Sequence, residues 1–310
     1  MTFIKYSLFA LLGVGSGLAV LCANAAESAK DAIGAAKSTK TAFASPDKLS
    51  GPGAPLTAAR AADPDTLIFT SAPRESAVDG AKIYGPVADY LGKVLGKKVV
   101  YRHPGTWGAY RSEMLRGDYD IIFDGPHFNS YRVEKLNHNV LVRLPGLHGF
   151  AIVTRNTEKY TTLAQMGGRS FCTHAPPNLG TLVLISQFDN PSRQPYLITM
   201  DGWDNIYKGL MSGKCVGAVL PAAQLKKLDK DGDLRVVFKT NAMPPNAISA
   251  GPRLTLEEQA KISAALLAPE AERPLEALRS SWKITEKLVA ANNQEFTGIA
   301  EYLRSEYGYY

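Results

Sequence analysis

Short apolar runs alternate with amphipathic segments along most of the chain. The run Thr66–Thr70 has the length and composition of a buried strand, and apolar residues recur at helical spacing through Tyr84–Leu95. Gly96 then marks the end of the predicted helix. Strands and helices that alternate at this spacing predict an α/β fold with largely parallel sheets.

The same alternation predicts further elements in both halves of the chain. Additional strands are predicted at residues 98–101, 120–123, 140–144, 150–154, 170–173, 196–199, 215–220 and 234–238. Helices are predicted at residues 107–115, 128–136, 179–187, 203–211 and 222–228. After residue 250 the pattern predicts only helices, at 256–267, 274–278 and 284–302, packed back on one of the α/β units.

Two segments of the chain share one pattern, and they are the first candidates for a functional site. Asp120–Phe128 and Ser170–Leu182 each read as a short buried strand, a polar turn that contains proline, and the start of a helix. Such a turn leaves backbone N–H groups unpaired at the helix start, aimed beyond the end of the strand. Two of them predict two α/β lobes that face one cleft.

The N-terminus predicts export. Residues 1–25 read as a secretory signal peptide, with an apolar run at Ser7–Leu21 and the small-residue cleavage site Ala23-Asn24-Ala25. Cys22 leaves lipidation open as an alternative, although Leu21 stands where a small residue would normally precede a lipidated cysteine.

The composition limits the domain organisation and the kinds of partner that the protein can have. Residues 26–62 are rich in small and polar residues and read as a flexible tether. About 245 residues follow, enough for one large or two small domains. The formal net charge of +6 is mild, and no basic run with interleaved aromatic residues stands out, so we expect no nucleic-acid partner.

Two cysteines remain once the signal peptide is removed. In an oxidising compartment, Cys172 and Cys215 are expected to form a disulfide, and two buried free thiols are the alternative. Cys172 and His174 share one strand face, so a Cys–His metal or catalytic pair is a further alternative.

Five segments together resemble a known family. They are TLIFTSAPRES, YGPVADYLGKVLGKKV, RGDYDIIFDGPHFNSYR, TLAQMGGRSFCTH and GWDNIYKGLMSGKCVGAVLP. In their order, from about residue 67 to about residue 278, the chain resembles the periplasmic phosphonate-binding proteins. These are the solute receptors of ABC importers and have the type II periplasmic binding fold.

The resemblance implies the domain organisation and the partners. Lobe I would comprise residues 63–149 and 246–310, and lobe II residues 150–245, with crossovers near 149–154 and 244–250 that act as a hinge. Such a receptor is a periplasmic monomer that binds a small-molecule ligand and docks on an ABC permease in the inner membrane. It needs no cofactor and no metal, and it is not an enzyme.

The candidate ligand-binding residues are polar or aromatic groups at the ends of the predicted strands. They are Arg74, Trp107, Asp124, His127, His174, Asn178, Thr181, Trp203 and Asp204. Each also has a structural interpretation: Asp124, Asn178 and Thr181 could cap helices, the tryptophans could pack in the core, and Arg74 could be a surface charge.

The ligand is predicted only as a small polar or oxyanion-bearing molecule. Where the family often has a Ser-Thr-Ser-Gly turn, this chain has Pro177-Asn178-Leu179-Gly180, which lacks the hydroxyls. Two alternatives stay open, namely a sensory receptor for a membrane kinase and a metal-ion receptor that uses His and Asp. An enzyme is not expected, because the chain has no Gly-x-Ser-x-Gly, Ser-x-x-Lys or His-Glu-x-x-His motif.

Overall fold

The computed structural model describes residues 65–306 and 309. The predicted signal peptide, the possible lipidation site and the predicted tether lie outside the described residues. The described part contains two β-sheets flanked by helices, which confirms the predicted α/β class. Within it, no helix combines the length and the apolar character needed to cross a membrane.

Eleven strands and eight α-helices make up the regular structure of the described residues. The strands are β1 Thr66–Ser71, β2 Lys98–Tyr101, β3 Ile121–Asp124, β4 Asn139–Arg143, β5 Phe150–Arg155, β6 Ser170–Thr173, β7 Tyr196–Thr199, β8 Gly217–Pro221, β9 Leu234–Lys239, β10 Ala247–Ala250 and β11 Val289–Ala290. The helices are α1 Ala77–Leu95, α2 Trp107–Leu115, α3 Pro126–Leu136, α4 Leu179–Ile185, α5 Trp203–Met211, α6 Ala222–Leu228, α7 Leu256–Leu267 and α8 Glu272–Ser281. Short 3₁₀ segments complete the list: Leu163–Met166, Pro191–Arg193, Pro269–Ala271, Asn293–Phe296 and Ile299–Ser305.

The two sheets have the same plan, in which three parallel strands adjoin an antiparallel crossover strand. The six-stranded sheet of lobe I has the order β11-β4-β10-β3-β1-β2, and the five-stranded sheet of lobe II has the order β7-β6-β8-β5-β9. Strands β2, β1 and β3 are parallel, as are β7, β6 and β8. Strands β10 and β5 run antiparallel to both of their neighbours.

The prediction of largely parallel sheets was therefore wrong for five of the nine pairings between the described strands. It assumed that every strand is followed by a helical return, which places the next strand parallel. Strands β5 and β10 instead enter their sheets directly after the chain crosses between lobes, so they run in the opposite direction. The parallel part of each sheet determines where the candidate residues lie, because its carboxyl ends meet at one edge.

Helix α1 shows why the elements begin and end where they do. The side chain of Ser76 accepts a hydrogen bond from the N–H of Asp79 and caps the start, and Gly96 ends the helix in the left-handed conformation at φ 64°. The helix buries an apolar stripe that includes Tyr84 and Leu91. The predicted start at residue 84 was too late, because the cap at Ser76 starts the helix at Ala77.

The C-terminal region differs most from the prediction. A helix was expected at residues 284–302, but the structure has β11 and the 3₁₀ segments Asn293–Phe296 and Ile299–Ser305 there. Val289 pairs with Arg143 at the edge of the lobe I sheet, and Gly298 has a φ of 78°. Tertiary pairing and a left-handed glycine thus interrupt the helical pattern.

The two crossovers contact each other. Phe150 donates from its backbone N–H to Oγ1 of Thr240 at 2.9 Å, and Thr240 donates from its N–H to the carbonyl of Phe150 at 3.0 Å. His148 and Met243 form an antiparallel bridge beside this pair. The connections between the lobes are therefore a paired, two-stranded link.

The disulfide Cys172–Cys215 is present, with Cα atoms 5.7 Å apart, which confirms the predicted pairing. Both residues are buried in a hydrophobic cluster of lobe II. Cys215 lies just before β8 and not inside a strand as predicted. The bond excludes Cys172 from the alternative Cys–His pair.

Candidate functional site

The loops that follow three parallel strands of lobe I meet at one edge of the sheet. Arg74 follows β1, Trp107 follows β2, and Asp124 is the last residue of β3. Nη2 of Arg74 lies 3.0 Å from Oδ1 of Asp124, and its guanidinium lies 5.7 Å from the centre of the Trp107 ring. The strand order therefore brings together three of the predicted site residues.

Asp124 is fully buried and binds several donors. Arg132 of α3 lies 3.1 Å from Oδ2, Tyr110 of α2 donates to the same oxygen, and the N–H of Gly125 donates to Oδ1 at 2.7 Å. Burial alone would raise the pKa of Asp124. The positive charges of Arg74 and Arg132 lower it by more, so the pKa lies below its usual range. Asp124 is therefore ionised at neutral pH.

The helix-cap interpretation of Asp124 was wrong. Gly125 is the N-cap residue of α3, and no side chain caps that helix. Oδ1 of Asp124 does accept from the N–H of Gly125, but that N–H lies ahead of the helix. The carboxylate does not cap a helix but orients Arg74 and Arg132. The sequence did not indicate this role.

His127 connects lobe I to lobe II. Its side chain belongs to the second residue of α3, is 2% exposed, and places Nε2 3.2 Å from the carbonyl oxygen of Pro177 in the loop between β6 and α4. Burial lowers the pKa of His127 to about 3, with Asp124 acting against the shift and Arg74 in its favour. The imidazole is neutral at physiological pH.

Glu75 adds a half-buried acid beside Arg74. Burial raises the pKa of Glu75 while Arg74 acts in the opposite direction. Tyr84 donates to one carboxylate oxygen at 3.4 Å, and the other oxygen has no partner in the described residues. The lobe I edge therefore has donors and an acceptor within a short distance of each other.

The corresponding edge of lobe II carries His174 and Trp203. They follow the parallel neighbours β6 and β7, and their rings meet edge to face with centres 4.3 Å apart. Burial lowers the pKa of His174, and Asp201 partly opposes the shift. Both side chains are half-buried, and their role in binding stays a prediction.

Asn178, Thr181 and Asp204 have structural or exposed positions. Asn178 caps α4 by accepting from the N–H of Gly180 at 3.0 Å. Thr181 is fully buried and donates to the carbonyl of His174 at 2.7 Å. Asp204 is exposed in the first turn of α5, and the described contacts do not join it to the other candidates. Their roles in binding stay predictions.

Sequence reasoning missed Tyr110, Arg132 and Pro177. Tyr110 and Arg132 lie inside helices that carry little amphipathic signal, and only the fold brings them to Asp124. In the sequence, only their position could have indicated a role, since each lies on a helix that directly follows a strand of the site. Pro177 contributes a backbone carbonyl, which no side-chain pattern reveals.

The described residues contain no group of three or more His, Cys, Asp or Glu side chains that could hold a metal ion. His127 and Asp124 are close in lobe I, but His174 and Asp204 do not complete a coordination set with them. The metal-ion receptor is therefore not supported by the site geometry.

Comparisons with known proteins agree with this architecture. Residues 69–296 match the family described as the phosphonate periplasmic substrate-binding protein of an ABC transporter. The comparison with curated protein sequences gives no match.

Three solved structures illustrate the likeness of fold. A Xanthomonas citri protein bound to ATP has 12% sequence identity and a TM-score of 0.59, covering 77% of this chain and 97% of its own. PhnD1 of Prochlorococcus marinus, in complex with methylphosphonate, has 13% identity and a TM-score of 0.55, with coverage of 78% and 98%. A binding protein component of an ABC phosphonate transporter from Pseudomonas aeruginosa has 14% identity and a TM-score of 0.51, with coverage of 76% and 84%.

At these identities the structures establish the fold, and the fold is that of type II periplasmic binding proteins. The family match spans most of the chain and includes the site edges of both lobes. This chain belongs to the family of phosphonate-type periplasmic substrate-binding proteins of ABC transporters.

Proposed function

We propose that the protein captures a small oxyanion-bearing ligand between its two lobes and delivers it to an ABC permease. The observation that carries the proposal is the contact between His127 of lobe I and the carbonyl of Pro177 of lobe II. This contact places the Arg74–Asp124 pair beside the junction of the lobes. A ligand held there would touch both lobes and stabilise their closure.

Arg74 has the chemistry and the exposure to hold the oxyanion. Its side chain is 28% exposed and is oriented by Asp124 and by the ring of Trp107. A guanidinium presents N–H groups in a fixed fork that matches phosphonate or carboxylate oxygens. Because Asp124 also binds Arg132, one carboxylate faces two guanidinium groups, which favours an added negative charge nearby.

The structural neighbours support the ligand class and not a particular ligand. The Prochlorococcus marinus protein is in complex with methylphosphonate, and the Xanthomonas citri protein is bound to ATP, so both carry phosphorus oxyanions. In this chain Thr181, whose hydroxyl could have faced a ligand, is buried and bonded to His174 and Thr173. We therefore place the anion on the lobe I side.

We further propose that the protein acts as a periplasmic monomer without catalytic activity. Residues 63–149 with 246–310, and residues 150–245, would move as two lobes about the paired crossovers. The separate sheets and the two hydrogen bonds between Phe150 and Thr240 support this division. Export through the N-terminal signal, residues 1–25, supports the compartment.

Isothermal titration calorimetry with methylphosphonate tests the proposal. We expect wild-type protein to bind, and Arg74→Ala to bind roughly 10- to 100-fold more weakly because a charge-assisted hydrogen bond is lost. Arg116→Ala is the matched control, since Arg116 pairs with Asp118 and its side chain is 29% exposed. Equal losses in both variants, or no binding by wild type to methylphosphonate, phosphate or a phosphate monoester, would contradict the proposal.

A further inference from the structure

The two ring nitrogens of His127 differ in their partners. Nε2 lies 3.2 Å from the carbonyl oxygen of Pro177. A carbonyl oxygen can only accept a hydrogen bond, so Nε2 must carry the proton. Nδ1 is buried and has no partner among the described residues. Nδ1 of the neutral ring is therefore a hydrogen-bond acceptor that lacks a donor.

The surroundings keep the ring in this neutral form. Burial lowers the pKa of His127 to about 3, Asp124 on β3 raises it, and Arg74 and Arg132 lower it further. From lobe II the ring meets the backbone carbonyl of Pro177. Because the ring stays neutral through the physiological range, Nδ1 keeps its lone pair there.

Nδ1 and Arg74 lie near one point. A Cβ atom added at Gly125 would lie 3.2 Å from Nδ1 of His127 and 3.6 Å from Nη2 of Arg74. The same atom would lie 2.9 Å from Cε1 of His127, so the point is next to the turn itself and is not open space. The acceptor and the cationic donor therefore flank the turn at Gly125. An unpaired buried acceptor is costly, so the most stable complex supplies a donor to it.

We propose that the site selects an oxyanion that still carries one proton, such as the monoanion of a phosphonate or phosphate ester. The hydroxyl of the ligand donates to Nδ1 of His127, and a charged oxygen accepts from Arg74. This inference rests on the proposed oxyanion function and adds the protonation state of the ligand. A fully ionised oxyanion would direct a lone pair at the lone pair of Nδ1 and is disfavoured.

Methanesulfonate and methylphosphonate make a matched pair of probes. Both have a methyl group and a tetrahedral centre with three oxygens, but the sulfonate has no proton to donate at neutral pH. We expect calorimetry at pH 6 to show methylphosphonate binding roughly 10- to 100-fold more tightly, the range expected for a buried acceptor left without its donor. Equal affinities for the two probes would overturn the inference and leave the proposed function in place.

The pH dependence gives a second readout on the wild-type protein. The affinity for methylphosphonate should fall as pH rises through the second ionisation of the ligand, because the dianion has no proton. Asp124, Arg74 and Arg132 keep their charge there, since the pKa of Asp124 is lowered and those of Arg74 and Arg132 are raised. Glu75, whose pKa burial raises, also lies beside Arg74, so the same titration of a Glu75→Gln variant separates its ionisation from that of the ligand. An affinity that rises with pH would also overturn the inference.

The variant His127→Gln tests whether His127 selects the protonated ligand or only stabilises the structure. The glutamine amide can reach the Nε2 position and donate to Pro177, but it places no acceptor at Nδ1. We expect the preference for methylphosphonate over methanesulfonate to shrink to a few-fold, with the unfolding temperature as a check on folding. A preference that stays unchanged in a folded variant would assign His127 a structural role. Binding of neither probe to wild type would overturn this inference. Absence of binding to phosphate and to a phosphate monoester as well would defeat the oxyanion function itself.

Discussion

At the scale of single residues, Asp124 is the common hydrogen-bond and ion-pair partner of several other polar groups at the candidate site. It is fully buried and contacts Arg74, Arg132 and Tyr110, so its carboxylate orients Arg74 and balances the charge of the buried Arg132. Removing one partner from such a buried set leaves an uncompensated charge. Asp124 is therefore expected to contribute to stability as well as to binding.

Asp124→Asn should destabilise the fold by about 3–5 kcal/mol at pH 7, because Arg132 keeps its charge in a buried position. The lowered pKa of Asp124 means that its contribution is present above the ordinary carboxyl pKa and is lost as pH falls through the folded value. The difference in unfolding free energy between wild type and Asp124→Asn should therefore decrease as the pH is lowered. Urea unfolding at pH 7 and at lower pH measures it.

Asp118→Asn is the control for this experiment. Asp118 pairs with Arg116 in a partly exposed position, so the expected loss is about 1 kcal/mol or less. If the difference in unfolding free energy between wild type and Asp124→Asn stayed constant from pH 7 down to acid pH, the ionised carboxylate would not be the source of the stability.

At the scale of elements, the C-terminal 3₁₀ segment Ile299–Ser305 packs against helices of both lobes. It contacts α3 and α4, and Leu303 shares a hydrophobic cluster with Leu182 of lobe II and Phe128 of lobe I. One of its backbone groups bonds to α3, since the N–H of Ala300 donates to the hydroxyl of Ser130 at 2.9 Å. The segment should stay with lobe I when the lobes separate.

Leu303→Ala tests the energetic weight of this segment. Leu303 is fully buried, so its truncation should cost about 2–5 kcal/mol through lost burial and a cavity. Leu256→Ala is the matched control, because Leu256 is 75% exposed and should change stability by about 0.5 kcal/mol or less. Equal midpoints in denaturant for the two variants would contradict the packing described for the segment.

At the scale of the whole molecule, the two sheets are linked by paired crossovers, and helix α3 contacts the loop before α4 through His127 and Pro177. If the lobes close on a ligand about this link, the ligand-bound protein should be more compact than the free protein. Small-angle X-ray scattering should show a smaller radius of gyration after methylphosphonate is added. Arg74→Ala should show no such decrease at the same ligand concentration, and compaction of that variant would argue against closure on the bound anion.

Local patterns were enough to predict most elements of both lobes. Helix α7 begins and ends as predicted because Thr255 and Glu258 form a capping box and apolar residues recur at helical spacing. Residues 284–302 were mispredicted because pairing of Val289 with Arg143 overrides local helical propensity. Strand direction at β5 and β10 depends on the crossovers, which no local pattern encodes.

The sequence by itself determined the α/β class, the family and the strand ends near which Arg74, Asp124, His127 and His174 lie, and it predicted the disulfide with two free thiols as the alternative. These follow from periodicity, composition and the order of motifs, which are local or additive properties. The tertiary structure decided which of these residues meet. Strand order brings Arg74 to Asp124, buried helices bring Tyr110 and Arg132 to the same carboxylate, and the contact with Pro177 decides which nitrogen of His127 accepts. Such contacts join residues far apart in the chain, so only packing can specify them.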